Sequence, residues 1–168
     1  RVMGFLATKA EALDRMGRLH VYTSFLGVYI TLGEYQKAVD LFEMYLTEPW
    51  VKSTVAVQPE IHLMGIVAHF ESGNSSIVES LCRNLQRTMQ TQKGYHELEK
   101  VVINRIQKVP TEAGEKTYWQ DFHAAISSAI EQERDSNKGR FQMLDMSAWC
   151  ESKITGKSIR ELIEKKAT

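Results

Sequence analysis

Proline and cysteine are scarce in this sequence, and its charges cancel. Three prolines in 168 residues leave long stretches in which helices can run without a break. Two cysteines, Cys82 and Cys150, stand far apart and form no metal-ligand spacing. They read as reduced core thiols of a cytosolic protein. The 21 basic and 21 acidic residues cancel and are mixed along the chain, so a general attraction to nucleic acid or anionic lipid has little support. No apolar run approaches the roughly 20 residues that span a bilayer, and no stretch has the form of a secretory leader. The chain opens at Arg1 rather than at a methionine, which predicts a piece of a longer protein.

What is present is ordinary soluble composition, 43% hydrophobic and 25% charged, in a length suited to one domain or a short stack of helical repeats. Val2, Phe5, Leu6, Ala10, Leu13 and Met16 fall at helical spacing and predict a leading helix to about Gly17. Tyr22, Phe25, Leu26, Tyr29 and Ile30 stripe a second, which Gly33 suits as the left-handed terminator. Tyr35, Ala38, Val39, Phe42, Tyr45 and Leu46 stripe a third, closed by Pro49. Residues 48–60 read as a long connection. Residues 61–90 then repeat the order helix, glycine, helix, with Gly73 at the turn and Ser76–Glu79 as a capping box.

The rest keeps the helical period. Leu98, Val102, Ile106 and Val109 predict a helix ended by Pro110, and Trp119, Phe122, Ala125, Ile126 and Ala129 predict another, ending in the polar stretch ERDSNKG. Phe141, Leu144, Ala148 and Trp149 belong to a helix apolar on more than one face, the mark of a helix between neighbours. Ser158 and Glu161 cap a short charged helix. The fold class is all-α.

Tyr22, Phe25, Leu26, Tyr29, Gly33, Tyr35, Ala38 and Phe42 resemble the tetratricopeptide repeat. In that family large residues on a first helix meet a small one on the second, here Ala38, and Tyr22 stands where tryptophan is usual. A degraded second copy sets Gly73 against Gly33, His62 under Tyr22, Gly65 under Phe25, Val78 under Ala38 and Cys82 under Phe42. The offset is 40 residues rather than about 34. The portion from YHELEKVVINRI onward, especially LDMSAWCESKITGKSI, looks like the end of uncharacterised bacterial proteins that carry such repeats. The resemblance implies a short right-handed solenoid: a leading helix over 1–18, a repeat over 19–50, a degenerate repeat over 58–91, and C-terminal capping helices over 94–168.

Other constellations have simpler readings beside them. GKS at Gly156–Ser158 lacks the glycine five residues earlier and the strand that a phosphate loop needs, because Glu151 stands there. His62 and His69 with Glu71 could suggest a metal site. Seven residues of helix span about 10 Å, however, too far for adjacent ligands. His96, Glu97 and Glu99 read as a charged helix start. His123 beside Asp121 is unspecific, and NSS at Asn74 reads as a turn and cap. No serine lies in a nucleophile elbow and neither cysteine has a nucleophile signature. No catalytic residue, metal ligand or cofactor is assigned.

The repeat resemblance implies a concave binding face formed by first helices. Its positions are His20, Thr23, Gly27, Ile30 and Thr31 in the first copy, and Glu60, Leu63, Val67, Phe70 and Glu71 in the second. These positions lack the Lys, Arg and Asn with which one subset of the family grips C-terminal carboxylates. Whether the groove is open, or filled by the helices after Tyr95, stays undecided by sequence. The expected function is a cytoplasmic, non-enzymatic module that binds a protein or peptide, not nucleic acid and not membrane. Self-association through an exposed repeat edge is a further expectation. The alternatives are an end-cap of a longer array without binding of its own, and a helical metal-dependent hydrolase using His62, His69 and Glu71.

Overall fold

The computed structural model describes residues 13–52, 59–91, 97–110, 114–135 and 144–167, and all regular structure within them is helical. The order is α1 (Arg15–Thr31), α2 (Tyr35–Thr47), the single turn α3 (Pro49–Lys52), α4 (Pro59–Glu71), α5 (Ser75–Thr91), α6 (Glu97–Ile106), α7 (Glu115–Asp135), α8 (Met146–Thr155) and α9 (Ile159–Lys166). Among the described residues no helix is long and apolar enough to cross a membrane.

Two turns fix the path of the first half. Gly33 sits at φ +72°, its N–H donates to Ile30 O at 3.0 Å, and the Glu34 N–H donates to Tyr29 O at 2.8 Å. Forty residues on, Gly73 sits at φ +75°, its N–H donates to Phe70 O at 3.0 Å, and Asn74 N–H donates to His69 O at 2.9 Å. Both are the paired carbonyl-satisfying turn that ends a helix in a left-handed residue. A side chain there would meet no neighbour; the cost of one is in the backbone conformation itself. The same turn therefore folds α1 against α2 and α4 against α5.

The two hairpins share α4. It packs on α1, α2, α5 and α6, and Ile61 and the whole run from Leu63 to His69 are buried. A helix apolar all round is explained by that position. Its closest contact is at Gly65, where a Cβ would stand 2.5 Å from Phe42 Cε1 and Cζ. The small residue that permits close approach between hairpins is thus Gly65, beside the buried Ala38 within the first.

Several boundaries differ from expectation. α1 starts at Arg15, because Asp14 is extended and its carboxylate accepts the Gly17 N–H at 2.7 Å. A stripe of apolar spacing does not register such a cap. Residues 14–17 therefore open α1 instead of closing a leading helix, whose residues 1–12 lie outside the described ones. Asn74 O accepts from Ile77 and Val78, so α5 begins at Ser75 and Ser76 is not its cap. The Gly73 turn dictates that start, and Glu79 pairs with Arg83 instead. Val109 lies beyond the end of α6, and Leu144 precedes α8, whose cap is Asp145. Phe141 falls outside the described residues. The predicted box at Ser158–Glu161 is present in both directions.

The C-terminal helices form the other half of one continuous core. α7 packs on α6 and on α8, and α9 closes on α8 through Ile159 and Leu162. Trp119 and Phe122 stack at 5.4 Å with ring planes 10° apart, and Trp149 sets its edge on both at 5.5 and 5.9 Å. Such ring pairs add about 0.5–1.5 kcal/mol beyond their burial. Met146, Ala148, Trp149 and Cys150 are consecutive or nearly so and all buried, as a helix between neighbours requires.

Candidate functional site

The positions that the repeat resemblance placed on a concave face divide into two groups. Ile30, Leu63 and Val67 are core residues, Thr23 and Gly27 are buried on α1, and Phe70 is half-buried. His20 is exposed and Thr31 partly so. In the second hairpin the face is covered by the chain's own later helices. Phe70 meets Trp119 at 6.0 Å and Trp149 at 6.2 Å. Leu63 shares a small cavity with Leu98, Leu144 and Met146.

Glu71 is the polar fixture of that closure. The Trp149 indole N–H donates to its Oε1 at 2.6 Å, and the Lys153 ammonium donates to Oε2. The carboxylate is nearly buried, so satisfying both oxygens is what makes its burial tolerable. Burial, with Glu71 adding to it, pushes the Tyr35 hydroxyl up to about 12. A similar fixture holds the first hairpin. Glu48 accepts from Tyr22 Oη at 2.7 Å and Trp50 Nε1 at 3.1 Å, and pairs with Arg18 at 3.4 Å.

His62, His69 and Glu71 do not converge. The Phe42 ring meets His62 at 5.6 Å and His69 at 6.1 Å, and Glu71 is engaged by Trp149 and Lys153. Burial drives the His62 imidazole down to about 4 and lowers that of His69. His62 Nε2 is enclosed without a hydrogen-bond partner, whereas His69 Nδ1 lies 3.2 Å from the Asn74 amide. Among the described residues no three His, Cys, Asp or Glu side chains are grouped to hold a metal ion.

Other titratable groups are either built into packing or paired at the surface. Glu97 pairs with Lys100 at 2.7 Å, as a helix-start acid can, but Glu99 is 1% exposed. Sequence reasoning missed that. Glu133, 4% exposed, accepts the Leu98 N–H at 3.2 Å, and with Glu60 the two line a cavity of about 20 Å³. All three glutamates have partners within the protein. His123 Nε2 lies 2.9 Å from Ser147 Oγ, and His96 is outside the described residues. Burial pushes the Cys150 thiol to about 12 and raises that of Cys82, which suits neither for nucleophilic work. Gly156 ends α8 at φ +70°, so GKS is a helix stop followed by the α9 cap.

Among the described residues an open concavity of about 580 Å³ has the dimensions of a ligand site. It lies where the end of α4, the first turns of α5, the end of α6 with the residues after it, and the start of α7 meet. Phe70, Val78, Ile106, Val109 and Pro110 form its apolar floor. Ser75, Glu79, Gln107 and Glu115 stand exposed at its rim. Of these lining residues two are acidic and none is basic. The cleft was not legible beforehand because four separate segments build it. Its one local signal is Val109, an apolar residue placed just past a helix end and before a proline.

Comparison with protein-family models, with characterised proteins and with solved structures gives no match for this chain.

Proposed function

We propose that this chain is a non-enzymatic protein-interaction module of tetratricopeptide type. The inner face of its second hairpin is covered by its own C-terminal helices, and its partner seats in the cleft between α5 and the α6–α7 junction. The observation that carries this reading is the 580 Å³ cleft, apolar below and polar at its rim, in a molecule of stacked hairpins. Two turns of one geometry, 40 residues apart, support the repeat. The absence of a converging catalytic set among the described residues supports a binding role, and the partner is a protein or peptide. Two buried free thiols fit a cytoplasmic setting.

The test is a photo-crosslinking amino acid placed at Gln107, on the cleft rim, or at Asp40, exposed on α2 outside it. Irradiation in a lysate of the source cells is expected to give a discrete adduct at position 107 that excess unlabelled protein abolishes, and none at 40. Equal patterns at both positions, or none at either, would contradict the reading. The second outcome is what an end-cap without binding predicts, a reading favoured by the closure of α7 and α8 over α4.

Self-association belongs to the same proposal. Among the described residues Met16, Val28 and Leu32 are large, apolar and 66, 48 and 49% exposed. Val28 and Leu32 lie one turn apart at the C-terminal end of α1, an exposed apolar pair that a second copy can cover, whereas Met16 lies about 120° around the helix from Val28.

A further inference from the structure

The rim of the cleft says what kind of partner its floor can accept, and this inference rests on the binding role proposed above. We infer that the cleft takes a short peptide segment that presents a large apolar side chain beside lysine or arginine. The floor of Phe70, Val78, Ile106, Val109 and Pro110 offers apolar surface but no charge. An aliphatic or aromatic side chain seated there leaves water, which is the favourable part of binding. Among the described residues the charged ones that line the rim are Glu79 and Glu115, both exposed. Glu79 already pairs with Arg83 on its own helix, and both side chains of that pair are more than half exposed. A solvated pair of this kind contributes little, so its carboxylate can be shared with an incoming cation at small cost. Glu115 accepts the Trp119 indole N–H at the long distance of 3.4 Å. Ser75 on the rim supplies a hydroxyl, and Gln107, whose side chain already bonds the Cys82 thiol, keeps further amide hydrogen-bonding capacity for the backbone of an extended segment. An acidic rim repels phosphodiesters and anionic lipid headgroups, which separates this ligand from nucleic acid and membrane.

The experiment uses the full 168-residue chain and three fluorescein-labelled hexapeptides: a leucine pair flanked by lysines, a leucine pair flanked by glutamates, and a serine pair flanked by lysines. Anisotropy measures affinity, and amide chemical shifts locate the site. The lysine-flanked leucine peptide is expected to bind and to shift the amides of Val78, Ile106 and Val109. The other two are expected to bind at least about tenfold more weakly, and added salt should weaken the first. The Glu79→Lys/Glu115→Lys double variant changes two exposed residues, and its unchanged helical circular dichroism would show that it folds. It should transfer the preference to the glutamate-flanked peptide. If the glutamate-flanked peptide binds the unaltered protein as well, or binding survives the charge reversal, the inference is overturned. Cleft-localised shifts in that case would leave the binding role standing. No binding by any of the three also overturns the inference, while the Gln107 crosslink separately decides the binding role.

Discussion

At Gly65 a hydrogen is the largest side chain the packing accepts, because the Phe42 ring occupies the volume of a Cβ. Gly65→Ala gains helix propensity of about 1 kcal/mol but must displace a ring held among Tyr45, His62 and His69. Overpacking of this kind costs about 1–3 kcal/mol. The variant should be destabilised on balance, with a lower urea midpoint; an unchanged or higher midpoint would show that the hairpins pack less closely than described. His62 gives a prediction in pH. Its folded-state value, about 4, lies below the ordinary 6.5, so the unfolded chain binds the proton more readily between those values. Stability is full above about pH 6.5 and falls as pH drops towards 4, by on the order of 3 kcal/mol at most. His69 acts in the same direction. Denaturation curves of His62→Gln should show a shallower fall over that window. The cysteines add a third: Cys82 and Cys150 should stay unlabelled by a thiol reagent until the protein is unfolded, since both are buried with raised values.

Among the elements, α8 decides which face stays open. It delivers Trp149 against Phe70, Trp119 and Phe122 and to the Glu71 carboxylate. Trp149→Phe keeps an aromatic ring but removes the indole donor from a nearly buried acid, a loss of about 1.5–3 kcal/mol. In a double-mutant cycle with Glu71→Ala the two losses should fall short of additive; strict additivity would contradict a direct bond. Much about these elements was readable from sequence. The stripes of α1, α2, α6 and α7, the left-handed stops at Gly33 and Gly73, and the Ser158 cap all follow from spacing and backbone rules that act within a few residues. The Asp14 start of α1 and the early start of α5 were missed because a cap or a preceding turn overrode the periodic pattern. Glu71 with Trp149 was beyond reach for another reason: the two are 78 residues apart, and nothing local in either segment names the other. The same distance hid the burial of Leu63 and Val67, whose apolar character suits a groove and a core equally.

Among the described residues His69, Glu99 and Glu133 are buried, while pairs such as Glu79–Arg83 and Arg160–Glu164 stand at the surface. The exposed apolar pair Val28 and Leu32 at the end of α1 predicts a concentration-dependent dimer by light scattering, which Val28→Glu with Leu32→Glu should convert to monomer without loss of thermal stability. A monomer at all concentrations would assign that pair no role in self-association. α7 and α8 close the inner face of the second hairpin, and the proposed partner surface is the cleft beside α5. Hydrogen exchange at the Trp149 indole N–H, followed by nuclear magnetic resonance, probes that closure. The indole proton should exchange far more slowly than in the unfolded chain and lose that protection in Glu71→Ala. Exchange at the unfolded rate in the unaltered protein would mean that the closure does not form.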